Sequence, residues 1–510
     1  MLFVRKPINV LFSEAEKSAE LKRSLSYVSL ITLGVGAIIG AGLFSLTGIA
    51  AAENAGPAVT ISFIIAAIGC MFAGLCYAEF ASMIPVAGSA YTYSYATMGE
   101  FVAWIIGWDL ILEYALGAAT VSVSWSRYLI EFLIKHDLNF IPHQLLCSPF
   151  ETLSLSNGMV INDGIINLPA IFIVTLLSFV LINGTKRSAT MNNLLVFLKL
   201  SVVFVFIIVG WHYISPENHN PYIVPNAGEE ALRSGQIGFW SFLHSDNFGH
   251  YGISGILRGA AVVFFSFVGF DAVSTAAQEA KNPKRDMPIG ILGSLVVCTI
   301  LYVLFSFVMT GLANYKEFIN DAKPVATAIA HTPYTWLQDG ITVAILAGYT
   351  SVILVMLLGQ SRVFYSMSHD GLLPRIFSHV HPKYHTPWKT NLFFMVFVSL
   401  FAGFVPVSDL GHMVSIGTLF AFILVCIGII IMRKKMPDVP RKFKAPFVPT
   451  VPILGIIVCL LMMVSLPKES WERLVIWMVI GVSIYFFYSR KHSVIRRNIL
   501  QDKERLDSDH

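Results

Sequence analysis

Charge is scarce along this chain. Asp, Glu, Lys and Arg make up 13% of its 510 residues against 55% hydrophobic residues, and the mean hydropathy is +0.68. Soluble domains do not need long charge-free runs repeated along their length, whereas polytopic membrane proteins do. Cysteine is sparse too. Cys70, Cys76, Cys298, Cys426 and Cys459 fall inside apolar runs and only Cys147 in a loop, with no ligand spacing, so no disulfide framework is expected. No His/Cys/carboxylate cluster has metal spacing, and no glycine loop is followed by the lysine of a phosphate cradle, which argues against a nucleotide-driven pump. The N-terminus does not read as a signal peptide, because charges are scattered through its first 23 residues. No nucleophile and base converge within the apolar runs, so neither an enzyme nor a cofactor is expected.

What is present is apolar. Twelve spans run at about 28–52, 57–82, 101–126, 165–183, 192–213, 253–277, 288–312, 337–366, 390–407, 411–432, 449–466 and 472–489. Each is roughly long enough to cross a ~30 Å hydrocarbon core. The expected fold is an all-α polytopic membrane protein. With the N-terminus inside, most of the 35 Lys and Arg residues lie in cytoplasmic segments, so both termini are expected there. The divisions that follow are a cytoplasmic tail at 1–27, able to lie on the membrane surface, and a first set of spans at 28–213. An external loop at 214–252, a second set at 253–432, two further spans at 433–489 and a cytoplasmic tail at 490–510 complete the chain.

Two spans are interrupted. The first holds Gly34, Gly36, Gly40 and Gly42 within nine residues. Glycine costs a helix about 1 kcal/mol per site relative to alanine. The run therefore invites the helix to open at mid-membrane, where freed amides would hold a carboxylate. Close helix packing through small residues is the competing explanation. The sixth span carries Ser266, Gly269 and Asp271 near its middle. Interruptions at matching places in two five-span halves point to an inverted-repeat transporter, with spans 11 and 12 added.

Charges inside the spans are the remaining signal. Lys199 lies seven positions past Asn192, roughly 10 Å along a helix. A buried ammonium costs several kcal/mol unless paired, which makes Lys199 a candidate proton carrier; snorkelling to the surface is the alternative. Asp109 and Glu113 share one face of the third span. Glu113 fits a proton route, contact with a substrate amine, or a polar network joining spans. Glu79 and Asp271 read as structural. Thr350 and Ser351 are the hydroxyls positioned to face Lys199.

Several motifs together resemble amino acid permeases of the amino acid–polyamine–organocation superfamily, in a bacterial branch similar to cationic amino acid transporters. They are Gly34-Val-Gly-Ala-Ile-Ile-Gly-Ala-Gly-Leu-Phe44, Cys76-Tyr-Ala-Glu-Phe-Ala-Ser82, Pro85-Val-Ala-Gly-Ser-Ala-Tyr-Thr-Tyr-Ser-Tyr-Ala96 and Gly107-Trp-Asp-Leu-Ile-Leu-Glu-Tyr114. Phe265-Ser-Phe-Val-Gly-Phe-Asp271, Glu279-Ala-Lys-Asn-Pro283 and Gly371-Leu-Leu-Pro374 complete the set. The resemblance implies a leucine-transporter-type fold, a 5+5 inverted repeat with helices 1 and 6 broken. It places the substrate carboxylate around Ile38, Ile39, Gly40, Ala41 and Gly42, and the amino group around Phe265, Ser266 and Val268. Ala41 stands where relatives often carry a hydroxyl. Lys199 is similar to the fifth-span lysine of proton-coupled relatives, and Glu113 joins it as a candidate for proton coupling.

The partners implied are an L-amino acid, a proton and the lipid bilayer of the plasma membrane, with no nucleic acid; no motif speaks to the oligomeric state. The small, apolar lining favours a neutral amino acid, whereas the branch resembled points to arginine and lysine. A proton-independent exchanger of amino acids or polyamines and a membrane amino-acid sensor are the other readings. The short tail after span twelve counts against a sensor.

Overall fold

The computed structural model describes residues 4–7, 25–83, 89–138, 141–155, 158–183, 186–243, 245–275, 280–321, 323–384, 386–437, 439 and 441–498. The tail at 8–24, Pro85–Gly88 and Gln278–Glu279 lie outside the described residues, so the surface-lying reading of the tail falls largely there.

The principal helices are α1 (Tyr27–Ile38), α2 (Val59–Met83), α3 (Ser89–Thr97), α4 (Glu100–Ile111), α5 (Gly117–Lys135), α6 (Leu168–Ile182) and α7 (Lys186–Trp211). They continue as α8 (Gly252–Val263), α9 (Pro283–Leu312), α10 (Thr335–His369), α11 (Trp388–Phe404), α12 (Val407–Lys435), α13 (Thr450–Ser465) and α14 (Lys468–Ile484). Among the described residues, six helical stretches are long and apolar enough to cross a membrane: Gly42–Met83, Glu100–Lys135, Pro283–Leu312, Trp336–His369, Val407–Lys435 and Lys468–Asn498. Six shorter apolar helices accompany them.

Burial runs opposite to that of a soluble protein. Phe197, Ile208, Ile300 and Val479 are exposed, while Glu79, Glu100, Asp109, Glu113, Lys199 and Asp271 are buried. An apolar exterior around polar groups suits hydrocarbon as the surrounding solvent. At the centre, α9 packs on α1 and α2, and α10 packs on α5 and α7. The end of α1 is thereby enclosed by α7, α9 and α10.

Some boundaries differ from those read in the sequence. The third span does not stop near residue 126, because α5 continues to Lys135. The loop after it contains a small hairpin pairing Leu153–Ser154 (β1) with Val160–Ile161 (β2), too short to leave an alternating pattern. The described part of the C-terminal tail packs against the body. Arg496 Nε donates to Glu100 Oε1 at 2.6 Å, and Ser493 donates to Oε2 of the same carboxylate. The N-terminal strip is held similarly, with Lys6 Nζ 2.9 Å from Asp370 Oδ1 and Tyr91 donating to Oδ2 at 2.8 Å. All six cysteines are free and buried.

Candidate substrate and ion site

The first opening falls at the C-terminal edge of the glycine run rather than across it. α1 ends at Ile38, Ile39 is extended (φ −70°, ψ 112°), and the chain re-enters a π-helical turn at Gly42–Leu46. Gly34 and Gly36 remain helical and serve packing. A Cβ on Gly34 would lie 2.6 Å from Ser294 Cβ, and one on Gly36 would lie 2.7 Å from Val196 Cγ2. Helix opening and close packing therefore both occur in the run, at different residues.

The second opening lies in the sixth span. α8 tightens into a 3₁₀ turn at Phe264–Phe267, Val268 is extended (ψ 134°), and Gly269 takes φ +111°, a value L side chains rarely adopt. The two openings touch. A Cβ on Gly42 would stand 2.3 Å from Ser266 Cα and 2.4 Å from its Oγ. That Ser266 hydroxyl is buried and, among the described residues, has no hydrogen-bond partner, an arrangement that favours a further polar group arriving there.

Opening a helix orphans carbonyls at one end and amides at the other. Carbonyls at the end of α1 accept from neighbouring helices. Lys199, on α7, donates to the Gly36 carbonyl, to Ile39 O at 3.0 Å and to Ser351 Oγ at 3.4 Å. Three N–H donors thus meet three neutral oxygens. Among the described residues no carboxylate pairs with this fully buried ammonium. It sits at the negative end of a half-helix, where a cation is favoured. Ser351 faces Lys199 as expected; Thr350 does not, its hydroxyl donating to Leu346 O at 2.8 Å within its own helix.

Sequence reasoning missed Tyr302 of α9. Its hydroxyl lies 3.1 Å from Ile38 O and 2.8 Å from Ser266 O, so one phenol bridges both opened segments. A hydroxyl buried in an apolar span was the available signal. Its partners exist only once both helices open.

The other candidate groups divide. Ile39 N donates to Val35 O at 3.1 Å, so that amide is engaged and Ile39 offers its carbonyl to Lys199 instead. Phe265 O accepts Val268 N at 3.1 Å and Ser266 O accepts Tyr302, each leaving one lone pair. Ile38, Ala41, Phe265 and Val268 are all buried. Gly40 O accepts the amides of Leu43 and Phe44 at 3.1 and 3.2 Å, starting the new helix. The amides of Ala41 and Gly42 lie in that first turn, on the far side of the break from the carbonyls of α1.

Glu113 lies in another π-helical turn, Leu112–Leu116, and faces Asp271 and Thr418. Among the described residues, its Oε1 and both carboxyl oxygens of Asp109 are buried without a hydrogen-bond partner. Tyr114 donates to Asp271 Oδ2, so Asp271 anchors the second opening to the third span. Glu79 bonds to neither opening; it is bound by Arg433 at 2.9 and 2.7 Å and by the Ala445 amide at 2.7 Å.

A polar interior with two opened helices inside an apolar exterior is the build of a helical membrane transporter. The amino acid permease family profile matches residues 25–485. The chain is 42% identical to the branched-chain amino acid permease BcaP of Bacillus subtilis, over 97% of this chain and 99% of that protein. It is 39% identical to the methylthioribose transporter of the same organism, with the same coverage. It is 29% identical to the vacuolar cationic amino acid transporter 4 of Arabidopsis thaliana, over 94% of each chain. The chain belongs to the amino acid permease family. These relatives are permeases and transporters, not enzymes.

Proposed function

We propose that the protein imports a neutral L-amino acid of the branched-chain class across the plasma membrane, coupled to a proton, by alternating access. In this reading the chain crosses the bilayer twelve times, as two inverted five-helix repeats plus two helices, with both termini in the cytoplasm. The observation that carries it is the contact of the two openings at Gly42 and Ser266, with the partnerless Ser266 hydroxyl beside it. The substrate carboxylate meets the amides of Gly40, Ala41 and Gly42. The amino group meets the spare lone pairs of the Phe265 and Ser266 carbonyls and the carbonyl of Val268. The branched-chain permease at 42% identity over nearly the whole of both chains, against 29% to 36% for the cationic amino acid transporters, favours a neutral side chain.

Lys199 is the coupling group. Protonated, it ties the end of α1 to α10 through Ile39 and Ser351; neutral, it releases one of those ties and lets α1 move. Glu113 supplies a second polar station on the proton route. In the present conformation the opened residues are buried, so substrate exchange requires a movement of α1 or α8.

The test is a thermal-shift panel of the twenty L-amino acids and methylthioribose on purified protein, followed by proteoliposome uptake of each hit. Ligand binding raises apparent stability. Leucine, isoleucine and valine should give the largest shifts. Methylthioribose alone, a sugar with neither a carboxylate nor an amine, would contradict the reading. Counterflow that needs no proton gradient and no Lys199 would identify an exchanger.

A further inference from the structure

One cleft of about 800 Å³ lies away from the meeting point of the openings, between α1 and the first turns of α9, beside the loop that follows α12. Ile31, Leu292 and Val296 contribute apolar wall, and Lys284, Arg285 and Lys442 contribute charge. All three cations are exposed, and among the described residues none has an ion-pair partner. Their backbone is fixed. The loop carrying Lys442 is tied down on both sides, because Arg441 Nε lies 3.4 Å from Glu79 Oε1 and the Ala445 amide donates to Glu79 Oε2 at 2.7 Å. Lys281 N donates to Leu25 O at 2.8 Å, joining the approach to α9 to the approach to α1.

An apolar cleft that opens toward hydrocarbon is filled by hydrocarbon, since water there would find too few polar partners. Unpaired Lys and Arg at the edge of a membrane attract anionic headgroups. We infer that the cleft binds one anionic glycerophospholipid, with its phosphodiester on Lys284, Arg285 and Lys442 and an acyl chain along Ile31, Leu292 and Val296. Ile31 belongs to α1, so the bound lipid braces that helix against α9. With the proposed orientation the lipid lies in the cytoplasmic leaflet, whereas lipid binding itself is independent of orientation and of substrate.

Native mass spectrometry of the full-length protein, offered phosphatidylglycerol and phosphatidylcholine of matched chains, tests this directly. One phosphatidylglycerol should be retained in preference to phosphatidylcholine. Lys442→Gln should lower that preference roughly fivefold, and adding Lys284→Gln and Arg285→Gln should remove about fivefold more at each step. Val296→Trp, which fills the cleft and leaves the cations intact, should also abolish it. All these side chains are exposed, so the variants should keep the thermal shift given by substrate. Equal retention of both lipids would overturn the inference. Full preference in Val296→Trp would reduce the site to surface charge, and displacement by millimolar inorganic phosphate would make it a free-anion site; either result contradicts a lipid in the cleft.

Discussion

Lys199 Nζ lies 3.0 Å from the carbonyl of Ile39, the residue at which the first helix stops. One lysine thus caps a half-helix and links three helices, which joins the break to a titratable group in a single contact. The predictions that follow separate groups that shape the site from groups that only hold the bundle together.

Tyr302→Phe removes the hydroxyl that bridges Ile38 O and Ser266 O. A buried carbonyl left without its donor costs about 1–3 kcal/mol. Thermal melting should therefore fall, and uptake should drop more than melting alone explains, since both opened segments lose a common tie. Unchanged melting and uptake would show that the bridge contributes nothing.

Gly42→Ala and Gly40→Ala should differ sharply. A Cβ on Gly42 meets backbone, Ser266 Cα at 2.3 Å, whereas one on Gly40 meets a side-chain methyl, Val352 Cγ2 at 3.2 Å. Backbone cannot yield as a methyl can. Gly42→Ala should insert into membranes but lose the substrate-induced thermal shift; Gly40→Ala should retain most of it. Equal behaviour of the two would return Gly42 to an ordinary packing role.

Glu79→Gln breaks a buried ion cluster that bonds to neither opening. The loss should be about 3 kcal/mol, the low end for a buried pair, because Arg433 keeps 27% of its side chain exposed. Melting should fall while the apparent substrate affinity of the folded protein stays unchanged. A shifted affinity would assign Glu79 a part in transport.

The sequence made the openings legible through composition, because glycine, serine and aspartate interrupt runs that are otherwise apolar. Lys199 was equally plain, as a lone charge in a span. The precise stop at Ile39 was not. Gly34 and Gly36 stay helical and pack closely on Ser294 and Val196, residues at least 160 positions away, so the glycines alone do not mark the stop. The resemblance places the Ile39 amide against the substrate carboxylate, yet its N–H closes the last turn of α1. Tyr302 looked like any buried aromatic, since its two acceptors come from segments that lie 264 and 36 residues distant. The role of Glu79 was legible as structural, but its partners, 354 and 366 residues on, were not.

The central claim is that Lys199 couples substrate accumulation to protons. Proteoliposomes with an alkaline interior, carrying wild-type protein or Lys199→Met, give the most direct measurement. Wild-type vesicles should concentrate the substrate above its external level, and Lys199→Met vesicles should only equilibrate it. Accumulation by Lys199→Met that matches wild type and collapses with the proton gradient would contradict the account.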